Sequence, residues 1–385
     1  MELDIFFSIS QTEVDGFVPD ERTMLANFFE QVELADELGF GTAWVAESHL
    51  STEVQKMNPG AVIPHFVGEI GLNTDILQLA TRVFARTKRI GVGSAILNIL
   101  CNGGPIAHAE RIKTFLALHG LDPNEQRILT IGFASGRFPF INIPYGIVPR
   151  NATEEAAWPV MKNKIFEEAT EIFLRLLRGE VLSSDMIEPR FLRRSDFRSD
   201  ADWQRVSPDN REIPVEPRWR FPNLKIVPQE GRMELLRLMI GSHDPATQIL
   251  ANQFLPVGVF NLSITPGDEI EKTNERMREH YQGVWQRRLM PRTVLVFIDD
   301  DSSRAASAAR KALENYWRAL EGTLDEEKVR RATNNALIGT PDEIVKQVRA
   351  RFDPEDRLML WFDFNNHDSK AVMKSMKDFM TKVAI

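Results

Sequence analysis

The segment Phe40-Gly-Thr-Ala-Trp-Val-Ala-Glu-Ser-His49 decides the fold, because a short apolar run ends there in three polar residues. Thr42–Ala46 predicts a β-strand, and Glu47–His49 predicts the turn that follows it. The preceding stretch, Arg22–Gly39, carries apolar side chains at helical spacing and ends in a glycine, a common helix stop. A helix that leads directly into a short apolar strand indicates a parallel sheet with helices packed outside it.

The same alternation continues along the chain. Further strands are predicted at Glu2–Ser8, Arg89–Leu97, Arg127–Ala134, Leu235–Ile240, Val257–Leu262, Arg292–Ile298 and Arg357–Phe362. Further helices are predicted at Asp75–Arg86, Pro105–His119, Thr153–Arg178, Pro245–Phe254, Gly267–Arg287 and Ser302–Leu320, from a capping box at Thr340–Glu343, and at the end of the chain. A doubly wound open sheet would also alternate. Eight evenly repeated strands favour an α/β fold of the closed (β/α)8 TIM-barrel class.

Residues Val181–Glu230 interrupt this alternation. They contain six prolines and no helical period, and their nine basic residues balance nine acidic ones. A segment of about 50 residues with so few aliphatic side chains cannot bury a core of its own. We therefore interpret it as an extended insertion between the fourth helix and the fifth strand of a single domain spanning residues 1–385. We expect it to lie over the mouth of the barrel and to shape the substrate pocket.

Composition excludes several classes of protein. Hydrophobic residues make up 43% of the chain and charged residues 26%, as in an ordinary globular protein. The net charge is −8 and no basic stripe is present, which argues against a nucleic-acid partner. No apolar run is long enough to span a membrane, and Cys101, the single cysteine, cannot form an internal disulfide. We expect a cytoplasmic protein with no membrane partner, in which Cys101 is a packed thiol.

Metal and dinucleotide motifs are missing from the sequence. The seven histidines are scattered, with no metal-ligand spacing. Gly91-Val-Gly93 lies inside a predicted strand and has no third glycine at the spacing of a dinucleotide-binding fingerprint.

In a (β/α)8 barrel the active site lies at the carboxyl ends of the strands. The end of strand two carries Glu47, Ser48 and His49; histidine titrates near neutral pH and can move protons, although it can also be a structural residue bonded to the backbone. The end of strand four carries Gly136 and Arg137; a guanidinium there can hold a phosphate, although Arg137 can also be a surface arginine without a ligand.

The end of strand five leads through Gly241-Ser242-His243-Asp244 into a helix that begins at Pro245. Backbone N–H groups at such a helix start bind phosphate readily. The alternative is a plain helix cap, since Asp244 followed by proline has the pattern of an N-cap, and its charge would repel phosphate.

Several segments, in order, resemble the bacterial-luciferase-like family of flavin enzymes. The strand-two ending Trp44-Val-Ala-Glu-Ser-His49 is similar to the family's Trp, two apolar residues and Glu-His-His. The other similar segments are Gly91–Ile96, Pro105–Arg111, Ile131–Gly136, Ile240–Pro245 followed by Phe254–Gly258, and Ile338–Glu343. Together these segments extend over roughly residues 1–365.

The resemblance implies a flavin bound at the carboxyl ends of the strands, with its isoalloxazine ring near the ends of strands two to four. Its phosphate would lie near Ser135 and Arg137 and at the turn formed by Gly241, Ser242 and His243. The cofactor-binding residues would be Ser48, Ala95, Ile96, Asn98, Ser135, Arg137, Gly241, Ser242 and His243. A cis peptide bond would fall near Ala95-Ile96, and a homodimer is implied.

Two positions depart from the family pattern. Ser48 replaces the first histidine of the pair, to which the acid–base role is usually given, and a serine does not titrate near neutral pH. The role is then vacant, unnecessary, or passed to His49. Ser135 stands where some members carry a phosphate-binding arginine, with Arg137 two residues further on.

The leading functional hypothesis is a two-component monooxygenase that uses reduced FMN, supplied by a separate flavin reductase, and O2 to oxygenate a small organic substrate. His49 would be catalytic as a proton carrier or by hydrogen bonding to the flavin, with Glu47 beside it. One alternative is hydride transfer with the deazaflavin coenzyme F-420. Another is a non-catalytic flavin-binding protein or partner subunit. Nothing in the sequence identifies the substrate.

Overall fold

The computed structural model describes residues 1–58, 65–319, 321 and 335–383, and all structural statements below concern these residues. Nine parallel strands form one curled sheet. They are β1 (Glu2–Phe7), β2 (Thr42–Val45), β3 (Gly91–Asn98), β4 (Leu129–Ala134), β7 (Leu236–Ile240), β8 (Val257–Val259), β9 (Arg292–Ile298), β10 (Leu337–Gly339) and β11 (Arg357–Trp361). Their order in the sheet is β10-β9-β11-β1-β2-β3-β4-β7-β8. A separate antiparallel ribbon pairs β5 (Phe191–Leu192) with β6 (Ile213–Pro214).

Hydrogen bonds just beyond β8 connect that edge strand to β9. The Asn261 N–H donates to the Pro291 carbonyl at 3.0 Å, and the Thr293 N–H donates to the Asn261 carbonyl at 3.0 Å. The curvature of the sheet therefore brings β8 and β9 together although they lie far apart in the strand order.

Helices follow most of the strands. The described helices are α1 (Glu21–Leu38), α2 (Thr52–Gln55), α3 (Ile76–Arg86), α4 (Gly104–His119), α5 (Pro139–Asn142), α6 (Ala152–Ala156), α7 (Trp158–Leu177), α8 (Asp200–Val206), α9 (Pro245–Asn252), α10 (Gly267–His280), α11 (Ser302–Ala319), α12 (Pro341–Arg351) and α13 (Ser369–Lys382). The capping box predicted before α12 is confirmed, since Thr340 and Glu343 accept each other's backbone N–H groups.

All eight predicted strands are present, and the sheet contains one more than predicted. The additional strand, β10, has only three residues, too few to show a hydrophobic pattern. The predicted helix Thr153–Arg178 is two helices, which meet at Ala157. The predicted helix Gly267–Arg287 ends early, at His280. Leu320, predicted to end the helix from Ser302, lies outside the described residues.

The segment 181–230 is more ordered than its composition suggests. It contains the β5–β6 ribbon and helix α8, where no helix was predicted, because Ser199 caps the short helix and accepts from the Asp202 N–H. Trp203 is 3% exposed and belongs to the main core. Buried ion pairs attach the segment to α7, as between Arg190 and Glu171 at 2.7 Å.

The described residues form four hydrophobic clusters, and two of these lie on opposite faces of the sheet. The larger of the two fills the space between sheet and helices. The smaller lies on the inner face and contains Phe6, Trp44, Met239, Phe260 and Met359. Close strand approach requires glycine at one position: a Cβ on Gly132 would lie 2.4 Å from the Ser94 carbonyl oxygen of β3.

A buried ion pair closes the amino-terminal end of the sheet. The Arg357 Nε of β11 donates to Asp4 Oδ2 of β1 at 2.5 Å, and their side chains are 5% and 1% exposed. Trp44 Nε1 also donates to Asp4, at 2.7 Å. Arg357 in addition donates to the Thr42 hydroxyl at 2.8 Å. The polar atoms therefore satisfy one another, far from the carboxyl ends of the strands.

Among the described helices, none has both the length and the apolar character that a membrane span requires.

Candidate active site

A cavity of about 560 Å³ opens at the carboxyl ends of the parallel strands. Its wall includes residues that follow β1, β2, β4, β8 and β11, together with residues of α11. Among them are Ser8, Ala46, Arg137, Phe138, Leu262, Tyr316, Trp361 and Phe364. The volume lies within the range of small-molecule and cofactor sites, which is about 300–1,000 Å³.

The chemistry of the wall suits a planar aromatic ligand. Phe6, Phe66, Phe138, Trp361 and Phe364 supply aromatic faces and edges. The charged lining residues are balanced, with Arg137, Lys311 and Arg318 against Glu13, Asp15 and Glu314. An isoalloxazine ring fits such a wall, whereas a strongly acidic ligand finds no excess of positive charge.

The predicted catalytic residues, His49 and Glu47, belong to a chain of hydrogen-bonded side chains. His49 Nε2 lies 3.1 Å from Glu47 Oε1, and the side chains are 7% and 1% exposed. The Tyr145 hydroxyl donates to Asn102 Oδ1 at 2.5 Å, which turns the Asn102 Nδ2 toward His49 Nδ1 at 3.0 Å. His49 Nδ1 therefore accepts, and the proton of the neutral ring resides on Nε2 and is donated to Glu47.

His49 lies behind the wall of the cavity. Its partner Asn102 adjoins Cys101, whose side chain packs with Phe66 and Phe138 of the wall. His49 itself is outside the set of lining residues in the described part of the chain. A proton delivered by His49 would thus reach the cavity only after a side-chain rearrangement.

Ser48 provides a polar atom that the protein leaves unsatisfied. Its Oγ is buried without a hydrogen-bond partner among the described residues. Ser48 lies beside Ser8 of the cavity wall, since a Cβ on Gly71 would be 3.6 Å from Ser48 Cβ and 3.5 Å from Ser8 O. An unpaired buried hydroxyl costs about 1–3 kcal/mol, so a ligand that met it would recover that free energy.

The predicted residues of β3 lie at the same edge. The Ala95-Ile96 peptide bond is cis, as the family resemblance implied. Asn98 is 4% exposed and bonded within the protein: its Nδ2 donates to Asn142 Oδ1 at 2.7 Å, and its Oδ1 accepts from the Leu100 N–H at 3.0 Å. Asn142 in turn donates to the Ser135 carbonyl at 2.9 Å, so Asn98 fixes the loop after β4.

The two predicted phosphate segments are neighbours. The Gly241 N–H donates to the Phe133 carbonyl at 2.9 Å, so the turn after β7 starts beside Ser135. Arg137 is exposed and turns toward the cavity, with its guanidinium 5.9 Å from the Phe138 ring centre. His243 Nε2 lies 3.4 Å from the Thr265 hydroxyl.

Asp244 has the capping role that was the alternative interpretation of its segment. Its Oδ2 accepts from the Thr247 N–H at 2.8 Å and from the Thr247 hydroxyl at 2.6 Å. The Ser242 Oγ accepts from the Asp244 N–H at 3.2 Å. The carboxylate is thus engaged at the start of α9, and Gly241, Ser242 and His243 stay predicted phosphate contacts.

The expectation that segment 181–230 shapes the substrate pocket changes, whereas the expectation of a packed thiol at Cys101 is supported. The residues of segment 181–230 do not line the 560 Å³ cavity as the described chain forms it; Arg218 and Trp219 line a separate cavity of about 240 Å³ beside the start of α4. Cys101 is fully buried and burial raises its thiol pKa to about 12. This supports a packed thiol, since the nucleophilic form of cysteine is the thiolate.

Several residues of the site were not predicted from the sequence. Asn102, in the turn after β3, and Tyr145, in a short 3-10 helix, lie 53 and 96 residues after His49, and only the fold brings them to it. Tyr316 and Lys311 come from α11, whose helical pattern marks a packed surface and carries no sign of a cavity wall. Asn142, which holds the loop after β4, lies in a short helix that the sequence analysis did not predict.

Stability should depend on pH through Asp363, which follows β11. Burial raises its pKa to about 7, against the lowering effects of the Ser8 N–H and the Trp361 side chain. The ordinary carboxyl pKa is 3.8, so between these values the folded state holds a proton that the unfolded state has lost. The contribution of Asp363 to the free energy of unfolding is therefore most favourable below pH 4, declines as pH rises to about 7, and is constant above it.

Urea denaturation at a series of pH values tests this prediction. Asp363→Asn should remove the Asp363 part of the decline, so that the wild type loses stability relative to the variant as pH rises from about 4 to 7. Parallel pH curves for the two proteins would show that the carboxyl titrates normally.

Comparison with known proteins identifies the class. The model of the luciferase-like monooxygenase family matches residues 1–355. No curated protein matches the sequence. Solved structures share the fold: the monooxygenase RslO1 of Streptomyces bottropensis has a TM-score of 0.69 at 18% identity, covering 100% of this chain and 98% of its own.

Two further solved structures differ from each other in cofactor. The oxygenating constituent of 3,6-diketocamphane monooxygenase of Pseudomonas putida, a type II Baeyer–Villiger monooxygenase in complex with FMN, has a TM-score of 0.60 at 15% identity, with coverage of 100% and 98%. An F-420-dependent secondary alcohol dehydrogenase, in complex with an F-420–acetone adduct, has a TM-score of 0.53 at 14% identity, with coverage of 98% and 98%. At these identities the likeness concerns the fold.

The curled parallel sheet is a fold shared with solved structures of an FMN-bound monooxygenase and an F-420-dependent dehydrogenase. The chain belongs to the luciferase-like monooxygenase family, and it is an oxidoreductase.

Proposed function

We propose that this protein is a monooxygenase that uses reduced FMN and O2 to oxygenate a small organic substrate. The aromatic cavity at the carboxyl ends of the strands carries the proposal, because it combines room for a flavin and a substrate with a neutral charge balance. The same balance speaks against the acidic tail of coenzyme F-420. When bound, reduced FMN would supply the electrons that O2 activation requires.

The residues proposed to hold the cofactor lie on four consecutive strands of the sheet. Ser48 follows β2, residues 95–98 end β3, residues 135–137 follow β4, and residues 241–243 follow β7. The orphaned Ser48 hydroxyl would face the ring, and the β4 and β7 turns would face the phosphate. The aromatic wall would exclude water from the reacting centre.

Proton movement is assigned to His49 and Glu47. The Glu47 carboxylate accepts the Nε2–H of His49 and would stabilise the imidazolium that forms when Nδ1 takes up a proton, a step that requires the Asn102 amide to turn away from Nδ1. Ser94 Oγ, 3.4 Å from Glu47 Oε2, helps to fix the carboxylate. His49 thus takes the proton-carrying role that Ser48, with no group titrating near neutral pH, cannot perform.

The first test is titration of the purified protein with oxidised FMN, reduced FMN and coenzyme F-420, followed by fluorescence and anaerobic difference spectra. Tightest binding of reduced FMN, with substrate-dependent O2 consumption, is the expected result. Preference for F-420 would replace the proposal with hydride transfer. Binding of none of the three at micromolar concentration would show that the cofactor assignment is wrong, and turnover only with a second chain would indicate a partner subunit.

The proposal extends to architecture and partners. The Asn261 hydrogen bonds to β9 support a closed (β/α)8 barrel in one domain of residues 1–385, with residues 181–230 as its insertion. A separate flavin reductase would supply the reduced cofactor, since the sequence carries no dinucleotide-binding fingerprint. Association as a homodimer follows from the family resemblance, and light scattering of the purified protein measures it.

A further inference from the structure

Lys162 of α7 is a half-buried cation without a carboxylate partner. Its Nζ donates to the Gly136 carbonyl at 2.9 Å, and no ion pair among the described residues includes it. Lys164, two residues further along the same helix, is paired with Glu167 at 3.1 Å and with Asp196 at 3.2 Å. Burial lowers the pKa of Lys162, as expected of an ammonium group that lacks a counter-charge.

The position of Lys162 places it over the carboxyl end of β4. It lies in the second turn of α7, and Phe166, one turn further along, packs against Phe133 of β4 with ring centres 6.3 Å apart. Phe173, two turns beyond Phe166, also packs against Phe133, at 5.3 Å. Lys162 precedes Phe166 by one turn of α7, on the face of the helix that packs against β4. It therefore lies above the loop that begins at Ser135.

Two serines lie in the neighbouring turns that follow β4 and β7. Ser135 precedes the carbonyl that Lys162 contacts, and its own carbonyl is held by Asn142. The turn that carries Ser242 starts beside β4, through the Gly241 N–H to Phe133 bond. The nearby carboxylate of Asp244 is occupied by Thr247. A half-buried cation with serines in the adjacent strand-end turns is the composition of an anion site.

We infer that Lys162 is the cationic contact of the terminal phosphate of the bound flavin mononucleotide, with the Ser135 and Ser242 hydroxyls as further donors. This inference rests on the proposed function and deepens it, because it explains why the phosphorylated flavin is the cofactor. A phosphate monoester would supply the counter-charge that the protein does not provide at Lys162. Riboflavin lacks that group and gains nothing from the lysine.

The test compares anaerobic binding of reduced FMN and reduced riboflavin to the full-length protein by fluorescence titration. Lys162→Met should weaken binding of reduced FMN by about 10- to 100-fold, the effect of removing one hydrogen bond between charged groups. Its affinity for reduced riboflavin should stay at the wild-type value. Lys162→Arg should retain most of the preference for FMN over riboflavin. Lys164→Met is the control and should retain all of that preference, because the Lys164 side chain pairs with Glu167.

The outcomes separate this inference from the proposed function. Wild-type affinity of Lys162→Met for reduced FMN would overturn the inference alone. An equal loss of FMN and riboflavin binding, with a lowered melting temperature, would show a structural role and would overturn it as well. If the wild-type protein binds no reduced FMN, the proposed function and the inference fall together.

Discussion

Replacement of His49 by glutamine is expected to slow substrate oxygenation by about 10²–10⁴-fold, the usual contribution of a positioned proton carrier. Glutamine retains polarity and approximate size but cannot take up a proton. Binding of reduced FMN should stay close to the wild-type value, because His49 lies behind the cavity wall. The measurement is substrate-dependent O2 consumption, over a panel of small organic compounds, at saturating reduced FMN.

Two further variants sharpen this test. Glu47→Gln should also slow turnover. The glutamine amide oxygen can accept a hydrogen bond from His49 Nε2–H, but without a negative charge it no longer stabilises an imidazolium. His280→Gln, an exposed histidine at the end of α10, is the matched control and should be fully active. Full turnover by His49→Gln would remove His49 from the mechanism and leave its bonds to Glu47 and Asn102 as structural.

Replacement of Arg357 by methionine is expected to lower the free energy of unfolding by about 3–5 kcal/mol, because it leaves the buried Asp4 carboxylate without its counter-charge. The measurement is the midpoint and slope of urea denaturation. Flavin binding by the folded variant should be unchanged, since the pair lies at the amino-terminal end of the sheet.

The control for this variant is an exposed arginine on the same side of the sheet. Arg288 pairs with Glu2 at 2.9 Å, with side chains 50% and 39% exposed. Arg288→Met should cost no more than about 1 kcal/mol, as is usual for surface ion pairs. Equal losses for Arg357→Met and Arg288→Met would show that water reaches Asp4. Asp4→Asn combined with Arg357→Met should recover part of the loss, because the uncompensated charge is then absent.

The sequence predicted the strands better than the helices and the insertion. Strands buried on both faces form apolar runs that stand out in the sequence, so all eight were found. The three residues of β10 pair with the last three residues of β9, beyond the part of β9 that pairs with β11. That pairing partner comes from the fold and leaves no pattern in the sequence of β10. Helix α8 depends on a local cap at Ser199 and on Trp203 docking into the core, which composition does not reveal.

For the site, the sequence by itself determined which strand ends would carry polar side chains. Glu47, Ser48 and His49 are adjacent in the chain, and the parallel arrangement places every strand end at one edge of the sheet. Similarity at short motifs also located the cis peptide at Ala95-Ile96. These are local properties, fixed by neighbours in the chain.

Only the tertiary structure decided how the polar groups are paired. Asp4 and Arg357, 353 residues apart, form a buried ion pair because β1 and β11 are adjacent in the sheet. His49 is engaged by Asn102, and Lys162 is left without a carboxylate, because each outcome depends on which loop or helix packs beside it. The sequence shows which side chains are charged. Which counter-charge each one meets, and how deeply it is buried, depend on distant segments that the fold brings together.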